Sequence, residues 1–169
     1  MTETTLIVLE DGKPIAFTYA DLMRYHGHGF PGGVAHAFAA MQSAFPLLDG
    51  GNPVERREVS VRTAFRGPGG HDALEMVTRA RTDGRFAVAP ELAETARGET
   101  LQNYVFSFTY RGTTASVHVA EGIVEDAFIR LGKKPDRTPE ENARLDVMKQ
   151  EMADRILGRP ASSVYTQMA

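Results

Sequence analysis

The sequence predicts an α+β fold: an antiparallel or mixed sheet packed with two or three helices, with a C-terminal helical extension. Three observations lead there. Two long segments, 31–48 and 138–157, carry apolar side chains at helical spacing. Several short segments alternate, or are rich in β-branched and aromatic residues, as strands are. The length of 169 residues fits one domain of ordinary size. The expected organisation is a domain over 1–135 followed by a helix and tail over 136–169.

Leu6 to Leu9 and Ile15 to Phe17 are apolar runs around Asp11-Gly12, which predicts a hairpin; Pro14 then needs an edge position. Thr18 can cap a helix over 19–25, with Asp21 in its first turn. Gly27 and Gly29 stop it. Pro31 opens a longer helix whose stripe is Val34, Ala35, Phe38, Met41, Phe45 and Leu48. Residues 57–65 alternate and predict a strand. Gly67-Pro68-Gly69-Gly70 reads as a loop. Asp72, with Glu75 three residues on, reads as the N-cap of a helix over 72–81. A short strand is expected over 85–89, and a hairpin from 104–110 and 115–120 around residues 111–114. Residues 124–131 suit either strand or helix. Thr138, Pro139, Glu140 and Glu141 open a final helix to Leu157, and the residues beyond are expected to be frayed or docked on a partner chain.

Composition narrows the function classes. Net charge is -3 and no basic stripe appears, so a nucleic-acid partner is not expected. There are no cysteines, which removes thiolate nucleophiles, cysteine-held zinc and iron–sulfur clusters. No apolar run approaches the ~20 residues of a membrane span, and the N-terminal residues lack a signal-peptide pattern. The expectation is a soluble, cytoplasmic protein without a membrane partner. No Gly-x-Ser-x-Gly elbow, dinucleotide fingerprint or phosphate-binding P-loop is present.

The segment Tyr25-His26-Gly27-His28-Gly29-Phe30-Pro31-Gly32-Gly33 is the strongest candidate site. Two imidazoles two residues apart, with glycine between them, can be directed at one ion; the bland reading has them hydrogen-bonding the loop. His71 stands in a parallel context, delivered by Gly67-Pro68-Gly69-Gly70 to a helix start. The candidate metal ligands are therefore His26, His28 and His71. Gly27, Gly29, Phe30, Gly69 and Gly70 are the candidate cofactor-contacting positions, and Tyr25 and His28 the candidate proton-moving groups. Free N–H groups at helix starts favour anions. If the two starts converge, imidazoles and N–H groups share one site. Asp72 and Glu75 could add carboxylates, although capping is the simpler role for both. His36 falls off the apolar stripe and reads as a surface or supporting residue. His118 faces away from Val117 and Val119. The expected cofactor is a divalent metal, zinc or iron, holding a small-molecule ligand in a homodimer. In an enzyme, that metal would act as Lewis acid or redox centre. Haem is the alternative, with His26 or His28 axial and Phe30, Phe38 and Met41 as wall. A non-catalytic assembly partner that docks through the last helix is the third reading.

Residues 20–32, ending Tyr25-His26-Gly27-His28-Gly29-Phe30-Pro31-Gly32, resemble the signature of the FmdE-like domain family, named for a component of formylmethanofuran dehydrogenase. In that family Phe-His-Gly-His-x-Cys-Pro-Gly opens a long helix. Gly69-Gly70-His71-Asp72-Ala73-Leu74-Glu75-Met76-Val77-Thr78 resembles the family's second motif, and 105–109 its later Phe-x-Phe strand. The resemblance covers roughly residues 17–120 and implies a metal site. Phe30, Gly69 and Ala80 stand where the family has cysteine, and its cysteine-rich tail is replaced by the final helix. The resemblance thus implies a site carried by histidines, with His71 at a family valine position, or a different ligand.

Overall fold

The computed structural model describes residues 4–169. β1 (Thr5–Glu10) and β2 (Lys13–Thr18) pair antiparallel from Thr5↔Thr18 to Glu10↔Lys13. Their turn, Asp11-Gly12, has positive φ at both residues, which matches the twist of the strands it joins. Pro14 lies on β2, which pairs only with β1, so its missing N–H breaks no ladder. The Thr18 hydroxyl and the Asp21 carboxylate form a reciprocal cap on α1 (Tyr19–His26). Gly27, at φ 94°, ends that helix and donates to the Met23 carbonyl at 2.7 Å.

α2 (Pro31–Ala44) is buried on every side from Pro31 to Met41. The expected one-sided stripe is therefore corrected. Alanines and glycines fill the other faces because α1, α3 and a later helix pack there while the sheet lies beneath. The helix ends at Ala44, and Phe45–Leu47 is a 3-10 turn.

The strand expected over 57–65 contracts to β3 (Ser60–Thr63). Arg56–Glu58 is instead a 3-10 turn. It inserts the Arg56 guanidinium under the end of the next helix, where it donates to the Val77 and Met76 carbonyls. That helix, α3 (Pro68–Thr78), begins four residues earlier than predicted. Gly67, not Asp72, is its cap residue, and Asp72 lies inside the helix. Glu75 is not an N-terminal cap partner either. It is buried and accepts the Arg81 and Thr82 N–H groups at 2.7 and 3.1 Å, holding the reversal that follows Arg79 at φ 59°.

β4 (Phe86–Val88), β5 (Val105–Tyr110), β6 (Thr113–Val119) and β7 (Tyr165–Gln167) join β3 in a five-stranded mixed sheet of order β4-β3-β5-β6-β7. Only β3 and β4 run parallel. The loop expected at 111–114 is a two-residue turn, Arg111-Gly112, again with positive φ. The ambiguous segment becomes α4 (Asp126–Lys133). α5 (Pro139–Leu157) starts at Thr138 with a capping box to Glu141. The final residues are not frayed. α6 (Ala161–Val164) turns them back, and β7 pairs with β6. Val164 and Tyr165 are fully buried, and with Met152, Ala153 and Ile156 of α5 they belong to the same core as Val8, Phe38 and Phe106. The fold is α+β. Among the described residues, no helix is long and apolar enough to cross a membrane.

Candidate functional site: two glycine-led helix starts

The tripeptide Pro-Gly-Gly occurs twice, at 31–33 and 68–70, and each copy begins a helix. Proline suits the first helical position because its missing N–H would have no partner there. The glycines let the two helices touch backbone to backbone. A side chain on Gly33 would come within 3.2 Å of the Gly70 nitrogen. One on Gly69 would land on the Phe30 carbonyl oxygen, and one on Gly70 would strike the Phe65 ring.

Neither helix start has a side-chain cap. The first backbone hydrogen bonds are Val34 N–H to Phe30 carbonyl at 3.2 Å and His71 N–H to Gly67 carbonyl at 3.1 Å. The N–H groups of Gly32, Gly33, Gly69 and Gly70 thus have no acceptor among the described residues, although all four glycines are buried. Four orphan donors gathered at one place run against the general rule that buried N–H groups are paired.

A cavity of about 210 Å³ opens where the two starts meet. Gly32, Gly33, Gly67 and Pro68 form one side; Phe65, Tyr104 and Met152 line it together with Phe30, Phe128 and Lys149. Tyr104 is 6% exposed, and its hydroxyl makes no hydrogen bond among the described residues. Burial alone pushes that phenol far above the usual tyrosine range, so it is a neutral donor. The Lys149 ammonium lies 4.3 Å from the centre of the Phe30 ring and 3.4 Å from the Gly29 carbonyl oxygen.

The histidines surround this cavity without lining it. His26 Nδ1 is 2.8 Å from Asp72 Oδ2, and its Nε2 accepts the Phe30 N–H at 3.1 Å. The consistent tautomer carries its proton on Nδ1. With both nitrogens engaged and its side chain 7% exposed, the ring clamps the end of α1 to α3 and fixes the residue that precedes α2. His71 Nε2 lies 2.7 Å from the Phe65 carbonyl oxygen, and its ring meets Phe86 edge-on at 5.0 Å. His28 is exposed and makes no hydrogen bond among the described residues. Tyr25 is 53% exposed and lines a different groove, beside Arg56 and Glu75. Among the described residues, no group of three or more His, Asp or Glu is placed to hold a metal ion. As arranged, His26, His28 and His71 do not fit a resident metal, because His26 has no free lone pair to give. A haem would not fit the cavity either, which falls below the ~300–1,000 Å³ typical of pockets for drug-sized ligands.

His36 is the largest departure from expectation. It is wholly buried directly beneath the cavity, with Tyr104 at 4.6 Å and Phe65 at 6.0 Å between ring centres. Nδ1 lies 2.8 Å from the Tyr165 hydroxyl and Nε2 3.2 Å from the Met152 sulfur. Burial, reinforced by the nearby Arg155 charge, lowers its pKa to about 3, so the ring is neutral. His118 is half-buried on β6 and holds Glu94 at 2.7 Å. A larger groove of about 650 Å³ runs beside β1, but it is open and lined by no acidic, basic or imidazole side chain.

Of the expected cofactor-contacting positions Phe30 lines the cavity, whereas Gly27, Gly29, Gly69 and Gly70 do not, and the lining glycines are Gly32, Gly33 and Gly67. Sequence reasoning anticipates the meeting of the two helix starts. It misses Tyr104, Lys149 and Met152, which reach the cavity from the residue before β5 and from α5. The repeated Pro-Gly-Gly is the available signal for two equivalent helix starts. No protein-family model matches the chain. No curated protein matches it either.

Proposed function

We propose that this chain is a small-molecule-binding protein whose ligand occupies the cavity between the starts of α2 and α3. The observation that carries the reading is Tyr104. It is a neutral phenol, 6% exposed in an apolar wall, with no partner for its hydroxyl among the described residues. An acceptor atom on a bound molecule supplies that partner. The N–H groups of Gly32 and Gly33, which line the cavity and have no acceptor among the described residues, support the same reading. Ligand pockets are mostly apolar with a few placed polar groups, which describes this one.

The resemblance to FmdE-like proteins belongs to the same proposal. Its two motifs, at 20–32 and 69–78, are the segments whose glycines bring the helix starts together. A metal-loaded form would require His26 to leave the Phe30 N–H.

The test is a titration followed by NMR with phenol, zinc and haemin as separate probes. Phenol is expected to shift the resonances of Phe65, Tyr104 and Met152 saturably, and Tyr104→Phe to weaken it about tenfold. Phenol shifts scattered over the surface would reject the cavity. Stoichiometric zinc or haemin uptake, lost in His26→Ala, would replace this reading with the histidine-centred one.

A further inference from the structure

We infer that the ligand of this cavity is a small apolar monocarboxylate, held by its carboxylate at the paired helix starts. The inference rests on the cavity being a ligand site. It adds the charge and size of what enters.

Charge comes from the backbone. α2 has 14 residues and α3 has 11, and each ends its macrodipole as a partial positive charge at its first turn. Both turns face one cavity, and neither bears an acidic side chain. Gly32 and Gly33, bare of side chains, line the cavity with N–H groups that have no acceptor among the described residues, while Gly69 and Gly70 pack against Phe30 and Phe65 behind it. Lys149 brings an ammonium to the cavity wall, partly offset by an exposed ion pair with Asp146. It is held in place by the Gly29 carbonyl and by Asp146, whose carboxylate lies 3.4 Å from the ammonium. The Tyr104 hydroxyl is a further donor.

The anion is singly charged and carboxylate-shaped. The cavity lining contains one lysine and no arginine, whereas phosphate groups are typically gripped by arginine forks or several cations. The body is apolar and small. Phe65, Phe128 and Met152 offer no polar atom beyond a thioether already taken by His36. About 210 Å³ admits a single ring or a short branched chain, not a nucleotide.

The experiment uses the full chain, labelled with ¹⁵N, and three probes: phenylacetate, phenylacetamide and inorganic phosphate. Phenylacetate is expected to move the Gly32, Gly33 and Gly67 amide signals saturably and to bind about tenfold tighter than phenylacetamide. Lys149→Met is expected to weaken phenylacetate about tenfold while leaving phenylacetamide unchanged; its free spectrum reports whether it folds. Gly32→Ala should exclude both aromatic probes, because its methyl would displace the Met152 terminal carbon, 2.6 Å away, into the cavity. Equal affinity for phenylacetate and its amide overturns the carboxylate inference and leaves the ligand pocket standing. Phosphate binding more tightly than phenylacetate overturns it also. Failure of both aromatic probes to bind overturns the inference and the pocket together.

Discussion

His26 joins three segments with one ring: α1, which carries it, Asp72 on α3, and the peptide N–H of Phe30 ahead of α2. Its removal empties a ring site only 7% exposed, leaves the Phe30 N–H without its acceptor and leaves the Asp72 carboxylate with Arg81 alone, 3.7 Å away. His26→Ala is therefore expected to lower unfolding free energy by about 1–3 kcal/mol, read as a lower midpoint in urea. An unchanged midpoint would mean the ring is not a clamp. His36 makes a second prediction, on pH. Its folded pKa is about 3 against an ordinary value of 6.5, so above 6.5 it is neutral in both states and contributes no slope. Below 6.5 the unfolded chain takes up a proton that the folded chain refuses. Stability is then lost as pH falls toward 3, by up to about 1.4 kcal/mol per pH unit. Between about pH 6 and 5, where few carboxylates titrate, a His36→Leu variant should show a flatter dependence than the native chain. The same slope in both would remove His36 as its source.

Glycine acts through absence at the contact between α2 and α3. Gly69→Ala would place a methyl on the Phe30 carbonyl, a backbone group that cannot swing away. This substitution is expected to cost more than about 3 kcal/mol, at or beyond the upper end for overpacked cores, or to abolish folding. Gly122→Ala, in open space but at φ 84°, should cost about 1 kcal/mol. Circular dichroism melts of the two variants compare them directly. How legible these elements are in the sequence depends on where their signals sit. The Asp11-Gly12 hairpin, the Thr18 and Thr138 caps and the Pro31 start are written in local residues, and they stand where expected. The start of α3 is misread because Asp72 and Glu75 mimic a capping box, while the true cap, Gly67, has no side chain to announce it. Both acids are spent elsewhere, one on His26 and one on the turn after Arg79. The cavity is half legible. Its glycines lie in recognisable runs, but Tyr104 and Lys149 come from distant parts of the chain and no spacing links them. The histidines draw notice by their number, yet those nearest the cavity bind backbone, carboxylate and hydroxyl groups.

Across the whole molecule, the segment after Gly158 completes both the sheet and the core. β7 covers the free edge of β6, Ser43 donates to the Tyr165 carbonyl at 2.7 Å, and the Tyr165 ring packs on Phe106. Deleting residues 158–169 would expose that edge and leave His36 without its hydroxyl partner. The shortened chain is expected to lose its single cooperative unfolding transition and to bind a dye for exposed apolar surface. A sharp transition near the native midpoint would show the tail to be dispensable.

The contact between His36 and Tyr165 spans 129 residues of chain. Closing so long a loop is entropically late, since nearer pairings repay ordering sooner. The imidazole then spends most of the folding reaction without the group that finally satisfies it. Tyr165→Phe should therefore leave the refolding rate almost untouched and accelerate unfolding, a signature of contacts made after the barrier. How long a native molecule persists is set, on this account, by its last pairing rather than by its first.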